Sequence, residues 1–453
     1  MQDRSQILEG SLWKAVLRFS IPVALTAILE QLSSVIDVVM IGNFSSETGM
    51  AAVGANTPIM QLVINLFVGI SLGANVVIAH AIGKGDQSTV TRATHTSIAI
   101  AGLGIVAAVL LEFLAQPLLL LLSVPADTMP EALTFLRIYL IGLPFILLYN
   151  FEAAILRSAG QTRPPLHALL ISSVLNIGLD IILVPILHLG VGGCAMGTTF
   201  CYITSSAILF WRLTHTDAPV RVTPSKIGFD RAALVRIVRI GLPAGVQSAV
   251  FALANIIIQA AINSLGSTVI AASSAALSIE CVCYVTMNSF SQACTTFVGQ
   301  NFGARKIERC KQTLKVCLIE DGLVVIAFTA LAVGLGRWLL SLFNPDPNVV
   351  SIGYIRVCSI IPSYIFSMAY ENVSGYLRGF GVSTLPAAIT IASICGIRFF
   401  WVAAVFPHDP SFSCIMTVYP VSLGTTAALV SLAALIVCPA KTLGRGSNRQ
   451  AAK

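Results

Sequence analysis

Charge is what this chain has least of. Only 10% of its 453 residues are Asp, Glu, Lys or Arg, while 56% are hydrophobic. A soluble protein carries roughly 25% charged residues. A chain this poor in charge lacks the polar surface to cover its apolar residues as compact domains in water. A soluble enzyme, a secreted disulfide scaffold and a nucleic-acid binder are thereby excluded. No Cys precedes Cys194, no Cys-x-x-Cys pair occurs, and Cys281 and Cys283 form only Cys-x-Cys. The ligand spacings of zinc or redox chemistry are missing, so the cysteines read as small, packable helix residues. The six His are scattered. The nucleotide-cradling Gly-x-x-x-x-Gly-Lys-Ser/Thr loop is also missing, since Gly83-Lys84-Gly85 lacks the hydroxyl residue. ATP is therefore not expected as a driver within this chain.

What the chain does have is apolar length. A bilayer core takes about 20 helical residues. Twelve runs meet that length: 19–41, 51–82, 96–114, 135–156, 166–187 and 191–210, then 240–265, 269–297, 316–333, 349–377, 385–406 and 412–437. Barrel strands would be shorter, alternating segments. The fold class expected is all-α, a polytopic membrane protein of 12 transmembrane helices. The first dozen residues are polar and the first apolar run is long enough to stay in the membrane, so no cleaved signal is expected.

The net charge of +7 marks topology rather than a phosphate-binding surface. One set of connections carries clusters such as Lys84 with Arg92 and Arg305, Lys306, Arg309 and Lys311. Arg4, Lys14, Arg18, Lys441, Arg445, Arg449 and Lys453 add to them at the termini. The alternate connections hold Arg337. By the positive-inside rule both termini are cytoplasmic, which requires an even number of spans.

The chain also repeats itself. Leu156-Arg157-Ser-Ala-Gly160 returns as Leu377-Arg378-Gly-Phe-Gly381, at an offset of 221 from Arg157 to Arg378. Ser20-Ile-Pro22 returns at the same offset as Gly241-Leu-Pro243. Gly83 matches Gly303 at an offset of 220. Six spans per copy is an even number, so both copies insert the same way up, related by a pseudo-two-fold axis along the membrane normal. The expected organisation is an N-lobe at 1–213, a cytoplasmic linker at 214–231, a C-lobe at 232–438 and a basic cytoplasmic tail at 439–453. Pro219 and Pro224 oppose a helix in the linker. Two similar lobes suit alternating access, and therefore transport.

A charge at mid-membrane costs roughly 2.5–3.5 kcal/mol on insertion scales, so each embedded acid needs a reason. Glu30 and Asp37 stand seven residues apart, close to two helical turns, and share a face with Thr26 and Ser34. Asn176 and Asp180 are four apart in the fifth span, and Thr198 lies in the sixth. Convergence of these oxygens inside the first half suits a proton or a small hard cation. Carboxylates crowded in low dielectric cannot all ionise, and they titrate as a coupled set. A buried polar cluster that staples helices is the competing reading.

The second half differs. Its first span carries a neutral stripe of Gln247, Asn255, Gln259 and Asn263, with Phe251 at the position that the repeat assigns to Glu30. No acid occurs between Asp230 and Glu280. Glu280 and Glu371 are the expected embedded acids here, either binding a cationic substrate or pairing with a neighbour such as Arg356 or Arg398. Gln247, Asn255, Gln259, Glu280 and Glu371 are the candidate substrate-binding residues. Glu112 and Glu152 are expected near membrane surfaces, where they snorkel. Glu320 and Asp321 are expected at a wet, cytoplasmic start of a span. Pro22 removes a helix hydrogen bond inside the first span and is a candidate hinge beside Asp37.

These landmarks together resemble the multidrug and toxic compound extrusion (MATE) transporters of bacterial type. The resemblance runs from about Trp13 to Val437. It rests on Ser-Ile-Pro22, Val-Ile-Asp37 with Gly42, Ala-Ala-Val-Gly54, Leu156-Arg157-Ser-Ala-Gly160, Asn176-Ile-Gly-Leu-Asp180 and Gly190-Val-x-Gly193 through Thr198. Gly241-Leu-Pro243, Val298-Gly-Gln-Asn-Phe-Gly303 and Leu377-Arg378-Gly-Phe-Gly381 extend it through the second half. It implies a two-lobed exporter of organic cations or other amphipathic compounds, exchanged for H+ or Na+ without another cofactor. It implies a multi-pass protein of the bacterial inner membrane with small amphipathic substrates, the bilayer and no nucleic acid as partners, acting as a monomer. Asp37, Asn176, Asp180 and Thr198 match the family's first-lobe cation site, where Na+ is the one metal ion in question. Glu30 stands where Gln is often found. The acid of the family's second-lobe site is missing from the seventh span. The rival architecture is a flippase of lipid-linked saccharides, which needs a basic cavity for phosphate; a membrane-embedded enzyme and a channel fit less well.

Overall fold

The computed structural model describes residues 7–44, 47–122 and 124–437. Arg4, Lys441, Arg445, Arg449 and Lys453, with the basic tail, lie outside the described residues. Among those described, no strand occurs, and 12 helices are long and apolar enough to cross a membrane. In lipid a backbone must satisfy its own hydrogen bonds, and an uninterrupted helix does so within one segment. The helices are α1 (Leu12–Phe44), α2 (Glu47–Lys84), α3 (Gln87–Leu121), α4 (Met129–Ser158), α5 (Arg163–Ile181) and α6 (Gly190–Thr214). The second set is α7 (Arg231–Asn263), α8 (Ser267–Gly303), α9 (Ile307–Phe343), α10 (Pro347–Gly379), α11 (Thr384–Val405) and α12 (Phe412–Val437).

Several helices outrun the apolar runs that announce them. α2 has 38 residues, about 57 Å at the helical rise, against a hydrocarbon core of roughly 30 Å. Hydropathy marks only the lipid-facing stretch, so it misses polar turns beyond it. Outward residues such as Phe113, Leu121, Leu435 and Ile436 remain exposed, as a lipid-facing surface requires.

Two compact units emerge. One holds Leu25–Gly245, and the other holds the described residues of Ser5–Ala24 and Val246–Lys453. The divisions inside α1 and α7 keep the repeat offset of 221. Each follows its internal proline, Pro22 or Pro243, which costs the helix a hydrogen bond and weakens it locally. Within the first unit, Gly69 and Gly73 of α2 meet Gly241 and Gly245 of α7 backbone to backbone. A Cβ on Gly69 would lie 2.1 Å from the Gly245 nitrogen, and one on Gly73 would lie 2.2 Å from the Ile237 carbonyl oxygen. This is a Gly-x-x-x-Gly crossing, which gains its contact by backbone approach. Within the second unit, the start of α1 packs on α8 through larger side chains, with the Phe19 and Phe297 rings 5.5 Å apart edge to face.

The repeat is also visible in local structure. Gly160 and Gly381 both take positive φ, 81° and 85°. Each ends its helix with the same pair of bonds: Gln161 N–H donates to Leu156 and Val382 N–H to Leu377, while the glycine N–H donates to Arg157 or Arg378. The recurring Leu-Arg-x-x-Gly is thus a helix stop, and glycine is there because an L side chain is strained at that φ. α3 opens on Asp86, whose carboxylate accepts from the Thr89 N–H at 3.0 Å and the Thr89 Oγ1 at 2.8 Å. Those bonds hold the Asp86 carboxyl below its ordinary range.

Two placements depart from expectation. Glu112 pairs with Arg137 at 2.9 Å on the surface, but Glu152 is fully buried in the first unit rather than snorkelling. Glu320 and Asp321 are buried as well, not wet. α9 begins at Ile307, so these acids sit about 20 Å along it, deeper than a span starting at 316 implies.

Candidate functional site

The candidate coupling residues of the first unit come from three helices. α1 supplies Asp37 and α5 supplies Asn176 and Asp180, which its four-residue spacing places on one face. α6 supplies Thr198. The Thr198 hydroxyl donates to Asp37 Oδ2 at 2.9 Å, and Asn176 Nδ2 donates to Asp180 Oδ2 at 3.0 Å. One oxygen of Asp37, one of Asp180 and Cys194 Sγ all lie within 4.8 Å of one another. The remaining carboxylate oxygens, Oδ1 of Asp37 and Oδ1 of Asp180, are buried with no hydrogen-bond partner. Asp180 and Asn176 are fully enclosed, while Asp37 and Thr198 are half-buried.

The backbone around this pocket is unusual in ways that build it. After Asp180, α5 continues as a π-helical turn, Ile182–Ile186, containing Pro185. Such turns are rare and recur at functional positions. His188 and Gly190 then adopt positive φ, 53° and 52°, and start α6 abruptly. α6 runs so close to Asp180 that a Cβ on Gly197 would lie 2.2 Å from Asp180 Oδ1. Neither Gly197 nor Cys194 is among the candidates that the sequence offers. A signal exists, because Cys194, Gly197 and Thr198 stand at i, i+3 and i+4 of one helix face.

Glu30 stands apart from this pocket. It lies seven residues before Asp37, about 10.5 Å along the helix. Its electrostatic neighbours are Tyr149, Tyr202, Cys201 and Arg157. The Tyr149 and Tyr202 rings are 5.8 Å apart. The acidic face of α1 is therefore a column with Asp37 at one end and Glu30 at the other. Pro22 lies buried two turns before Glu30.

The candidate substrate residues of the second unit do not gather in one place. Glu280 forms a two-pronged ion pair with Arg356, at 2.7 and 2.9 Å, and Arg356 also donates to Ser273 Oγ at 2.6 Å. Glu371 pairs with Arg378 at 3.2 Å. Both acids thus have cationic partners, and Glu371 takes Arg378 rather than Arg356 or Arg398. Asn255 accepts from Arg398 Nη1 at 2.5 Å, Gln259 donates to Asn263 at 2.8 Å, and Gln247 is buried. Asp321 accepts from Asn372 Nδ2 at 2.6 Å.

The MatE family model matches residues 22–182 and again residues 243–402. The chain belongs to the MatE family. The two matched segments start at Pro22 and Pro243, the same offset as the internal repeat. Among MatE relatives, the chain is 24% identical over 396 residues to a probable multidrug resistance protein, YoeA, of Bacillus subtilis, covering 86% of each chain. It is 26% identical over 364 residues to an FAD transporter of Shewanella oneidensis, covering 77% of this chain and 78% of that one. Its fold matches the crystal structure of a MATE protein in the straight conformation with a TM-score of 0.87 at 21% identity, covering 96% and 98%. The two-lobed, 12-helix MATE architecture is therefore that of this chain.

Proposed function

We propose that this MatE chain is a secondary active exporter of small amphipathic compounds, organic cations among them, driven by inward movement of H+ or Na+. One observation supports it above the rest. Asp37 and Asp180, from different helices of one unit, bring carboxylate oxygens together in an enclosed pocket and leave one oxygen of each without a partner. Two carboxylates this close in low dielectric repel unless a cation lies between them. A proton satisfies the pair as one shared hydrogen bond. Na+ would find hard oxygens from Asp37, Asp180, Asn176 and Thr198, with the soft Cys194 sulfur a poor ligand for it. Loading and emptying the pocket changes the contact between α1 and α5–α6, and α1 is weakened at Pro22. The cation thereby acts on a helix able to respond.

The energetics allow this. Exporting a neutral solute against a roughly hundredfold gradient costs about 2.7 kcal/mol, and one positive charge entering down about 120 mV yields roughly 2.8 kcal/mol. The protein would work as a monomer in a bacterial inner membrane, with both termini cytoplasmic. Purified protein in liposomes, loaded with ethidium and given a H+ or a Na+ gradient separately, tests the reading. Efflux driven by either gradient supports it. Efflux indifferent to both contradicts it.

A further inference from the structure

The second unit repeats the first in position but inverts its charge. The contact between Ser172 and Ser205, which ties α5 to α6, returns at the repeat offset as Ser393 and Thr426, 2.7 Å apart, tying α11 to α12. The same offset carries Glu30 to Phe251, Ser34 to Asn255, Ile177 to Arg398 and Thr198 to Tyr419. Three of those residues gather on the fourth, Arg398. Its Nη1 donates to Asn255 Oδ1 at 2.5 Å, and its guanidinium carbon lies 5.0 Å from the Phe251 ring centre and 4.7 Å from that of Tyr419. Where the first unit gathers carboxylates, the second gathers a cation.

That cation lacks an acid partner among the described residues. Two other arginines enclosed by helices of this unit have acids, Arg356 with Glu280 and Arg378 with Glu371. Among the described residues no carboxylate pairs with Arg398, and its Nε–H has no acceptor. It is 1% exposed. Two aromatic faces and one amide oxygen offset part of the cost of burying it, but an unmatched charge inside a membrane protein is a functional signature. The backbone agrees. π-helical turns, Ile391–Cys395 and Trp401–Val405, bracket the short α segment that carries Arg398. Asn255, against which Arg398 rests, is exposed, so the guanidinium lies one side chain beneath the surface.

We propose that Arg398 is the anion-recognition site of the second unit, taking one carboxylate, phosphate or halide in place of its contact with Asn255. A guanidinium presents a planar fork of donors suited to such groups. The anion is either the acidic group of a transported solute or a free inorganic ion. The first source rests on the exporter reading, whereas binding itself does not.

The test uses the purified full chain, with fluorescein and sodium chloride as probes and R398Q at the same salt as the control for ionic strength. Wild-type protein is expected to bind fluorescein and to gain thermal stability with chloride, as mass action requires of a ligand of the folded state. R398Q is expected to bind about tenfold more weakly or worse and to lose the chloride response. Chloride displacing fluorescein, with fluorescein exported from liposomes, assigns the site to the solute's own acid. A chloride response without fluorescein binding assigns it to a free anion. Responses in R398Q equal to wild type overturn the proposal. Should R398Q fail to fold, Asn255→Asp is compared instead; it puts a carboxylate beside the Arg398 guanidinium in place of the amide oxygen, and wild-type anion binding there overturns the proposal equally. Ethidium efflux without Arg398-dependent binding sinks this inference alone, and binding without any efflux sinks the exporter reading alone.

Discussion

At the scale of single residues, the pocket depends on oxygen atoms being crowded, and glycine makes the crowding possible. Gly197→Ala places a methyl group 2.2 Å from Asp180 Oδ1, which must shift to make room. Overpacking of this kind costs about 1–3 kcal/mol, so the variant is expected to unfold at lower temperature and to export poorly. Wild-type stability and efflux in Gly197→Ala would show that α6 does not press on Asp180. Glu30→Gln is expected to retain partial efflux with an altered pH dependence, because Glu30 shares the α1 face with Asp37 without touching it. An unchanged pH profile makes Glu30 structural. Much of the pocket is legible in the sequence. Asp37, Asn176, Asp180 and Thr198 can be named from helical spacing and the cost of embedded acids. Gly197 and Cys194 carry only their i, i+3, i+4 spacing with Thr198 as a signal, and that spacing does not say what a neighbouring helix brings to the face.

At the scale of elements, the first unit relies on α2 and α7 touching through glycines. Gly69→Leu forces the two backbones apart where they touch, which predicts poor folding, read as aggregation on size-exclusion chromatography. A monodisperse, active Gly69→Leu would contradict the crossing. At the start of α3, Asp86 illustrates pH linkage in an exposed cap. Its folded-state carboxyl titrates below the ordinary aspartate value because Thr89 donates to it twice. The cap therefore contributes stability above the unfolded value and loses it as pH falls through the folded one. Asp86→Ala should lose stability at neutral pH and show a flatter acid limb; unchanged thermal unfolding at pH 7 and pH 3 contradicts this. The helices themselves are legible from apolar length. Their ends are not, since polar turns beyond the lipid core carry no hydropathy signal, and for that reason Glu320 and Asp321 lie deeper than the sequence suggests. Glu152 departs for a different reason: position along a span does not say whether a side chain faces lipid, water or the bundle.

At the scale of the molecule, a duplicated chain has kept its joints and changed its chemistry. The helix stops at Gly160 and Gly381, the prolines at Pro22 and Pro243 and the α5–α6 and α11–α12 hydroxyl contacts recur in register. The residues lining the two equivalent positions do not. The duplication can be read from the sequence because caps and kinks need particular residues. The partners of Glu280 and Glu371 cannot, because several arginines are available to each and only packing selects among them. If the Asp37–Asp180 pocket couples a cation gradient to export, removing either charge uncouples it. The most direct measurement is gradient-driven ethidium efflux from liposomes containing wild type, Asp37→Asn or Asp180→Asn, with insertion and folding checked in each. Efflux is expected in wild type and only passive leak in both variants; efflux at the wild-type rate in either removes the pocket from the coupling.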